Sequence, residues 1–269
     1  MKYTVVTTFN QSGYKQYGQR MIQTFLQNWP AEVTLVVYAE ECKVKETAPN
    51  LEVRDIAVID ALTVFKTAWR DVPRANGDVS ADPVRSRRKD AGKGFKWDAV
   101  RFAHKVYSIF HCANNIKTDW LIWMDADTVC HSAIAMADIS RLCPGHHDLC
   151  FLGRRGKYTE CGLYAMNLKH PIMERFLWDF QRLYDDADNG IFRLTEWHDS
   201  FVFDVVRQNH QLNELDWSGH LITGEGHPLI NSEWGAYLDH LKGDRKNLGH
   251  SKPKDLKIPR SESYWQQVS

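Results

Sequence analysis

Asp125-Ala126-Asp127 follows directly on the apolar run Trp120 to Met124, so two carboxylates stand two residues apart at the end of what reads as a buried strand. In an extended chain residues i and i+2 point to one face. There both can share a single divalent cation, one of them directly or through water. Like charges this close are costly unless neutralised, which is a reason to expect the cation. The bland alternative is a strand-end turn with solvated aspartates, and a DxD pair alone does not decide between the two. Weight is added by a second element, His240-Leu241-Lys242-Gly243-Asp244-Arg245-Lys246, which has the form HxxGxxK. Its imidazole offers a nitrogen ligand, its glycine lets backbone approach a pyrophosphate, and its last lysine can neutralise that group.

Other clusters carry less. The basic run Arg85, Arg87, Arg88, Lys89, Lys93 and Lys96, with Gly92 and Gly94, could close over a diphosphate or track a phosphate backbone. Asp82, Asp90 and Asp98 dilute its charge and no aromatic stacking platform is expected inside the run, so a solvated loop is the preferred reading. Cys143, His146, His147 and Cys150 are zinc-ligand types in a spacing that matches no common finger or ribbon, which favours a turn with free thiols. The segment Gly224 to Pro228 reads as a turn ahead of the His240 element, with nothing that demands a role for His227.

The elements that must position these groups follow from periodicity. Tyr3 to Phe9 is β-branched and aromatic, and Tyr14 to Trp29 then sets Tyr17, Met21, Ile22, Phe25, Leu26 and Trp29 at helical spacing. Strands are expected over Val33 to Tyr38 and Leu51 to Ile59, so the opening third reads β-α-β-β, a pattern of a largely parallel sheet. Pro73 to Gly94 lacks apolar periodicity and reads as a long mobile loop. A helix over Phe95 to His111 leads to the strand Trp120 to Met124. Beyond it, strands are expected near Asp148 to Leu152 and Cys161 to Asn167, and helices near Pro171 to Tyr184 and Asp199 to Asn209. In an open parallel sheet ligands bind at the carboxyl ends of strands, which is where Asp125 and Asp127 stand.

The chain has 269 residues, enough for one large α/β domain or two small ones, and its 43% hydrophobic and 25% charged residues exclude disorder and fibrous repeats. Lys plus Arg and Asp plus Glu both number 34, so no global field draws it to nucleic acid or anionic membrane. No apolar stretch approaches the roughly 20 residues of a membrane span. The six cysteines form no CxxC pair, and MKYTVVTTFN enters a strand pattern without a leader, so reduced thiols in a cytoplasmic setting are expected. Most of the ten tryptophans should be core, with some lining a cleft.

In motif order the sequence resembles family 8 of the glycosyltransferases, the glycogenin-like and bacterial galactosyltransferase group, built on the GT-A nucleotide-sugar-binding fold. Its members carry an N-terminal strand with small polar residues, a helix with a basic residue, a DxD, an NxG-type strand, a DQ-type segment and HxxGxxK. Here Thr7 and Thr8, Lys105, Asp125 and Asp127, Gly162, Asp199-Ser200, and His240 to Lys246 stand in the same order. The resemblance departs at Glu160-Cys161, where the family has Asn, at His198-Asp199-Ser200, and at Asn247-Leu248, where Pro-Trp follows the last lysine. It covers most of residues 1–250.

That resemblance implies a GT-A-like α/β domain over 1–250, with a nucleotide-binding half at 1–130, an acceptor half at 131–250 and a polar tail at 251–269. It implies that Asp125, Asp127 and His240 hold the cation, that Gly243 and Lys246 meet the donor diphosphate, and that Thr7 and Thr8 lie beside base and ribose. The basic helix position falls on Lys105, with Arg101 as the alternative. Asp199 would stand near the anomeric carbon, although it also opens an apolar helical segment as a helix N-cap would. The implied activity is transfer of a hexose or pentose from a nucleotide-sugar, a UDP-sugar first, with retention. Oxygen-rich ligation with one nitrogen suits Mn²⁺ or Mg²⁺, and the imidazole tilts the choice to Mn²⁺. Acceptors left open are a saccharide, a protein side chain and a modified base in nucleic acid. A sugar-phosphate nucleotidyltransferase is disfavoured because VVTTFNQSGYKQ lacks that class's Gly-rich basic signature, and a non-catalytic carbohydrate-binding relative is the alternative from another class.

Overall fold

The computed structural model of the chain describes residues 1–221 and 227–268. Nine strands are assigned among them: β1 (Tyr3–Asn10), β2 (Thr34–Glu40), β3 (Leu51–Asp55), β4 (Trp120–Met124), β5 (Thr128–Cys130), β6 (Leu149–Phe151), β7 (Leu163–Asn167), β8 (Glu214–Asp216) and β9 (Leu238–His240). Seven of them form one sheet in the order β3-β2-β1-β4-β7-β6-β8. All neighbours are parallel except at β7, which runs antiparallel to both β4 and β6, so the sheet is mostly parallel with one reversed strand. Helices flank it, and the α/β architecture expected from the periodicity is the one observed.

The central strands are apolar on both faces, as strands covered by helices on each side must be. In β2, Val36 and Tyr38 enter one core, with the helices Asp60–Trp69, Ala99–Asn115, Pro171–Asp185 and Asp199–Gln208. Leu35, Val37 and Ala39 of the same strand enter the other, beneath the helix Gln19–Asn28. Five tryptophans, Trp97, Trp120, Trp197, Trp234 and Trp265, are fully buried in these cores.

Several expectations need correction. The first helix opens earlier than expected, with the turn Gln11–Gly13, and passes through a five-residue π-helical stretch, Tyr14–Gly18, before its regular part Gln19–Asn28. The third strand stops at Asp55, and the chain turns into the helix Asp60–Trp69, which β-branched residues on both sides of the boundary had concealed. The segment after Pro73 is not a mobile loop. It folds into consecutive 3₁₀ turns, anchored by the Asn76 amide, which donates to the carbonyls of Trp69, Arg70 and Val72 at 2.9–3.0 Å. Two of its basic residues are engaged: Arg85 bonds Asp82 at 2.5 Å and stacks 4.2 Å over Trp197, and Lys96 bridges Asp90 and Glu196.

A small second sheet pairs β5 antiparallel with β9, setting Thr128 opposite His240. The polar residues beyond 250 pack onto this region. Ser251 is buried and donates from N–H and hydroxyl to Asp239 at 2.7 and 2.6 Å, and the helix Ser263–Val268 buries Trp265 while stacking Tyr264 on His131 with ring centroids 4.1 Å apart. Of the turn expected at Gly224 to Pro228, the first three residues lie outside the described residues, and Pro228 opens the short helix Pro228–Asn231. All six cysteines are unpaired. No helix among the described residues is long and apolar enough to cross a membrane.

Candidate active site

Asp125 leaves β4 at its carboxyl end, beside the carboxyl end of β1. The two aspartates do not sit on one face of an extended strand. The chain turns between them, with the Thr128 N–H donating to the Asp125 carbonyl at 3.1 Å, and runs on into β5. Because β5 pairs with β9, that turn brings Asp127 to the end of β9, where the Leu241 N–H donates to the Asp127 carbonyl at 2.8 Å. His240 therefore meets both carboxylates: its Nε2 is 3.0 Å from Asp127 Oδ1 and 3.5 Å from Asp125 Oδ2. One ligand atom from each of the three residues lies within 4.8 Å of the others. Two carboxylates and an imidazole gathered in this way are a donor set that would suit a divalent ion such as Mn²⁺ or Mg²⁺.

The imidazole is held by shape. It is wholly buried, its Nδ1 meets no partner, and a Cβ on Gly162 would lie 2.3 Å from its Cε1. Gly162 thus clears the space for His240. Its carbonyl accepts the Asp125 N–H at 2.8 Å, which fixes the other side of the site.

Charge is arranged tightly around these ligands. Lys246 donates to Asp127 Oδ2 at 2.9 Å and lies 4.7 Å over the Tyr17 ring. Burial opposes ionisation of Asp127, yet His240 and Lys246 outweigh it and hold its pKa below the usual carboxylate range. Burial would likewise keep His240 neutral, but Asp127 raises its pKa. Gly243 has φ of +60°, a left-handed conformation that favours glycine, and nothing lies within 4 Å of where a Cβ would stand, so its backbone is open to a ligand.

Lys105 borders the small cavity beside Asp125. It is buried beneath the site, bonding Asp125 Oδ1 at 3.2 Å, Asp199 Oδ2 at 2.7 Å and the Cys161 carbonyl. Burial works against its charge, and the two aspartates override it, raising its pKa well above the usual lysine value. Asp199 is depressed in turn: burial opposes its ionisation and Lys105 prevails. Arg101, one turn earlier on the helix Ala99–Asn115, is exposed and lines the cleft. Asp199 is the first residue of its helix, not its cap. The cap is His198, whose ring nitrogen accepts from the Phe201 N–H.

Strand parity separates the two threonines. Thr8 lines a cavity of about 190 Å³ with Tyr17, Arg101, Asp125, Asp127 and Lys246. Thr7 faces the packed interior, buried with an unpartnered hydroxyl, and does not join the site. The main cleft, about 1280 Å³, brings together Asp125, Asp127, Asp199, His240, Gly243 and Lys246. Three contributors were passed over in the sequence. Trp123 donates to Asp125 Oδ1 at 2.7 Å, a contact signalled only by its position two residues before Asp125. Glu160, itself buried, pairs in the cleft with the partly exposed Lys242, and Arg154 stands 3.4 Å from Glu160. Burial disfavours the Glu160 charge, and Lys242 pulls its pKa below the usual range.

No protein-family model matches the sequence, and no curated protein matches it. Among solved structures the chain is similar to the apo form of the WbbM bifunctional glycosyltransferase, at 12% identity and a TM-score of 0.46, over 80% of this chain and 38% of that one. It is similar to the apo form of mouse xyloside xylosyltransferase 1, at 12% identity and a TM-score of 0.43, over 80% of this chain and 85% of that one. It is also similar to the glycosyltransferase GlyE of Streptococcus pneumoniae TIGR4, at 11% identity and a TM-score of 0.44, over 80% of this chain and 45% of that one. The chain thus spans less than half the length of WbbM and of GlyE.

Proposed function

We propose that this chain is a metal-dependent glycosyltransferase of the family 8 type, moving a hexose or pentose from a UDP-sugar to a hydroxyl-bearing acceptor with retention. The observation that carries the reading is the meeting of Asp125, Asp127 and His240, from strands far apart in sequence, with Lys246 in the same cradle. Mn²⁺ or Mg²⁺ held by those three residues would supply Lewis-acid stabilisation to the nucleoside diphosphate that leaves as the sugar–phosphate bond breaks.

The chain's own residues meet the rest of that requirement. Lys246 pairs with Asp127 and can turn to a terminal phosphate oxygen, while the bare backbone at Gly243 admits the diphosphate closely. Thr8 and Tyr17 wall the cavity behind the aspartates, the place for ribose and base. Lys105 keeps Asp199 ionised and fixed, so that a carboxylate faces the sugar carbon as positive charge develops on it.

The test is calorimetric titration of UDP into the protein with Mn²⁺, with EDTA, and after Asp125→Ala plus Asp127→Ala. Micromolar binding that requires both the ion and the aspartates is expected. Absence of binding by UDP and by the other nucleoside diphosphates under all three conditions sinks the reading.

A further inference from the structure

The cleft continues past Asp199 into a part that the donor site does not use. Its centre is His198, whose ring lies 5.9 Å from Phe95, 6.3 Å from Phe102, 5.4 Å from Tyr158 and 6.3 Å from Phe201. Glu196 fixes the imidazole, accepting at 2.8 Å from Nε2. Phe95, Phe102, Tyr158, His198 and Asp199 all line the same cleft. Phe95 is 49% exposed and Tyr158 37%, in a protein that buries most of its large rings. Phe95 lies inside the basic run and is the aromatic platform that the sequence reading did not credit to it.

We infer that this aromatic half of the cleft is a saccharide acceptor subsite, in which Phe95 and Tyr158 present ring faces to a neutral sugar. It rests on the donor reading above, which is what makes a saccharide bound here an acceptor. Aromatic faces carry negative quadrupole density, and the C–H face of a pyranose is weakly positive, so the two stack. At the edge Asp199 offers a carboxylate to the sugar's hydroxyls, while Asp204 is taken by Thr159 and Arg207.

Around His198 the nearest cations are already paired, which favours a neutral ligand there over a phosphodiester chain, while Lys93 and Arg101 also line the cleft. Lys96 is taken by Asp90 and Glu196, and Arg154 and Lys242 by Glu160. Arg88 is paired with Asp90 at 2.9 Å and does not line the cleft. Burial opposes the Glu196 charge, but Lys96 and His198 hold its pKa below the usual range, so the carboxylate stays an acceptor and the pairing persists.

The test uses the full chain with Mn²⁺ and UDP, titrated with maltose, lactose, cellobiose and xylobiose, and with a single-stranded oligothymidylate, followed by saturation-transfer NMR. Phe95→Ala, Tyr158→Ala and Tyr158→Phe are compared, all at partly exposed positions where folding is checked by circular dichroism. At least one disaccharide is expected to bind, about tenfold or more weakly in Phe95→Ala and Tyr158→Ala, with Tyr158→Phe close to the parent and UDP affinity the same in all four proteins. Binding of no disaccharide, binding that ignores both alanine variants, or binding of the oligonucleotide alone overturns the inference. Loss of UDP binding in the parent, with disaccharide binding still dependent on both rings, sinks the donor reading and leaves the saccharide site standing.

Discussion

Replacing Gly162 by alanine should disable the metal site without touching a charge or a ligand. The new Cβ would lie 2.3 Å from Cε1 and 2.5 Å from Nδ1 of His240. Carbon contacts rest at about 3.5 Å, so the imidazole must retreat by roughly 1 Å. It has little room, being fully buried and packed 4.9 Å from the His227 ring. Gly162 does not have a positive φ, so the cost is steric and not conformational. Overpacking of this kind costs about 1–3 kcal/mol, which lowers Tm by roughly 2–10 °C for a chain of this size. Displacing a ligand or its support weakens metal binding about 10–100-fold. Mn²⁺ affinity is read from the loss of the free-ion electron paramagnetic resonance signal, and UDP affinity by calorimetry, both well below Tm. Gly92→Ala, where nothing lies within 4 Å of the added carbon, is the control and should match the parent. A Gly162→Ala protein that is folded and binds Mn²⁺ and UDP as the parent does refutes the link between this glycine, the ring and the ion.

Three further outcomes follow from contacts elsewhere. Lys105→Met leaves Asp125 and Asp199 facing each other without their shared cation, so unfolding free energy should drop by about 3–5 kcal/mol in urea titrations; a loss below about 1 kcal/mol would contradict that burial. Arg85→Ala removes the stack on Trp197 and the bond to Asp82, and limited proteolysis should then cut within 73–98 at a rate several-fold above the parent. Burial lowers the pKa of His131 to about 4, with Asp239 working the other way. An unfolded histidine titrates near 6.5, so between these values the unfolded chain takes up a proton that the folded one refuses, and stability falls as pH falls from 6.5 towards 4. The loss reaches at most about 3 kcal/mol, and His131→Phe, which keeps a ring against Tyr264, should flatten that part of the pH–Tm profile.

What was legible in the sequence is what depends on local pattern. The fully apolar β4 ending in two aspartates, and the glycine and lysine spacing of residues 240–246, needed no tertiary knowledge. What was not legible depends on partners distant in sequence. β5 and β9 are three residues each, too short for periodicity to register, yet their pairing carries His240 to Asp127. Order in residues 73–98 comes from Asn76 and Arg85 finding acceptors and a ring elsewhere, so its composition reads as loop. Thr7 and Thr8 were separable only by strand parity, and parity needs to know which face the cleft occupies. The resemblance set Lys105 at the family's basic helix position; that Asp125 and Asp199 hold it inside could not be read from its own stretch of sequence.

The reversed strand explains why these pieces meet. In an all-parallel sheet the carboxyl end of β4 would be flanked only by other carboxyl ends and the loops that leave them. Because β7 is antiparallel, its beginning lies beside the end of β4, with Leu163 opposite Met124. The residues that lead into β7, Glu160 to Gly162, are therefore laid against Asp125, giving it the Gly162 carbonyl, giving Lys105 the Cys161 carbonyl and giving Lys242 the Glu160 carboxylate. The first two of these contacts join the stretch that carries the DxD to the stretch that carries Asp199, and the third ties Lys242, near His240, to the same entry into β7. The sheet topology thus sets Asp125 and Asp199 in one network, in which Lys105 touches both. Altering either aspartate should change the charge balance felt by the other, so double-mutant cycles at these two positions are expected to be non-additive.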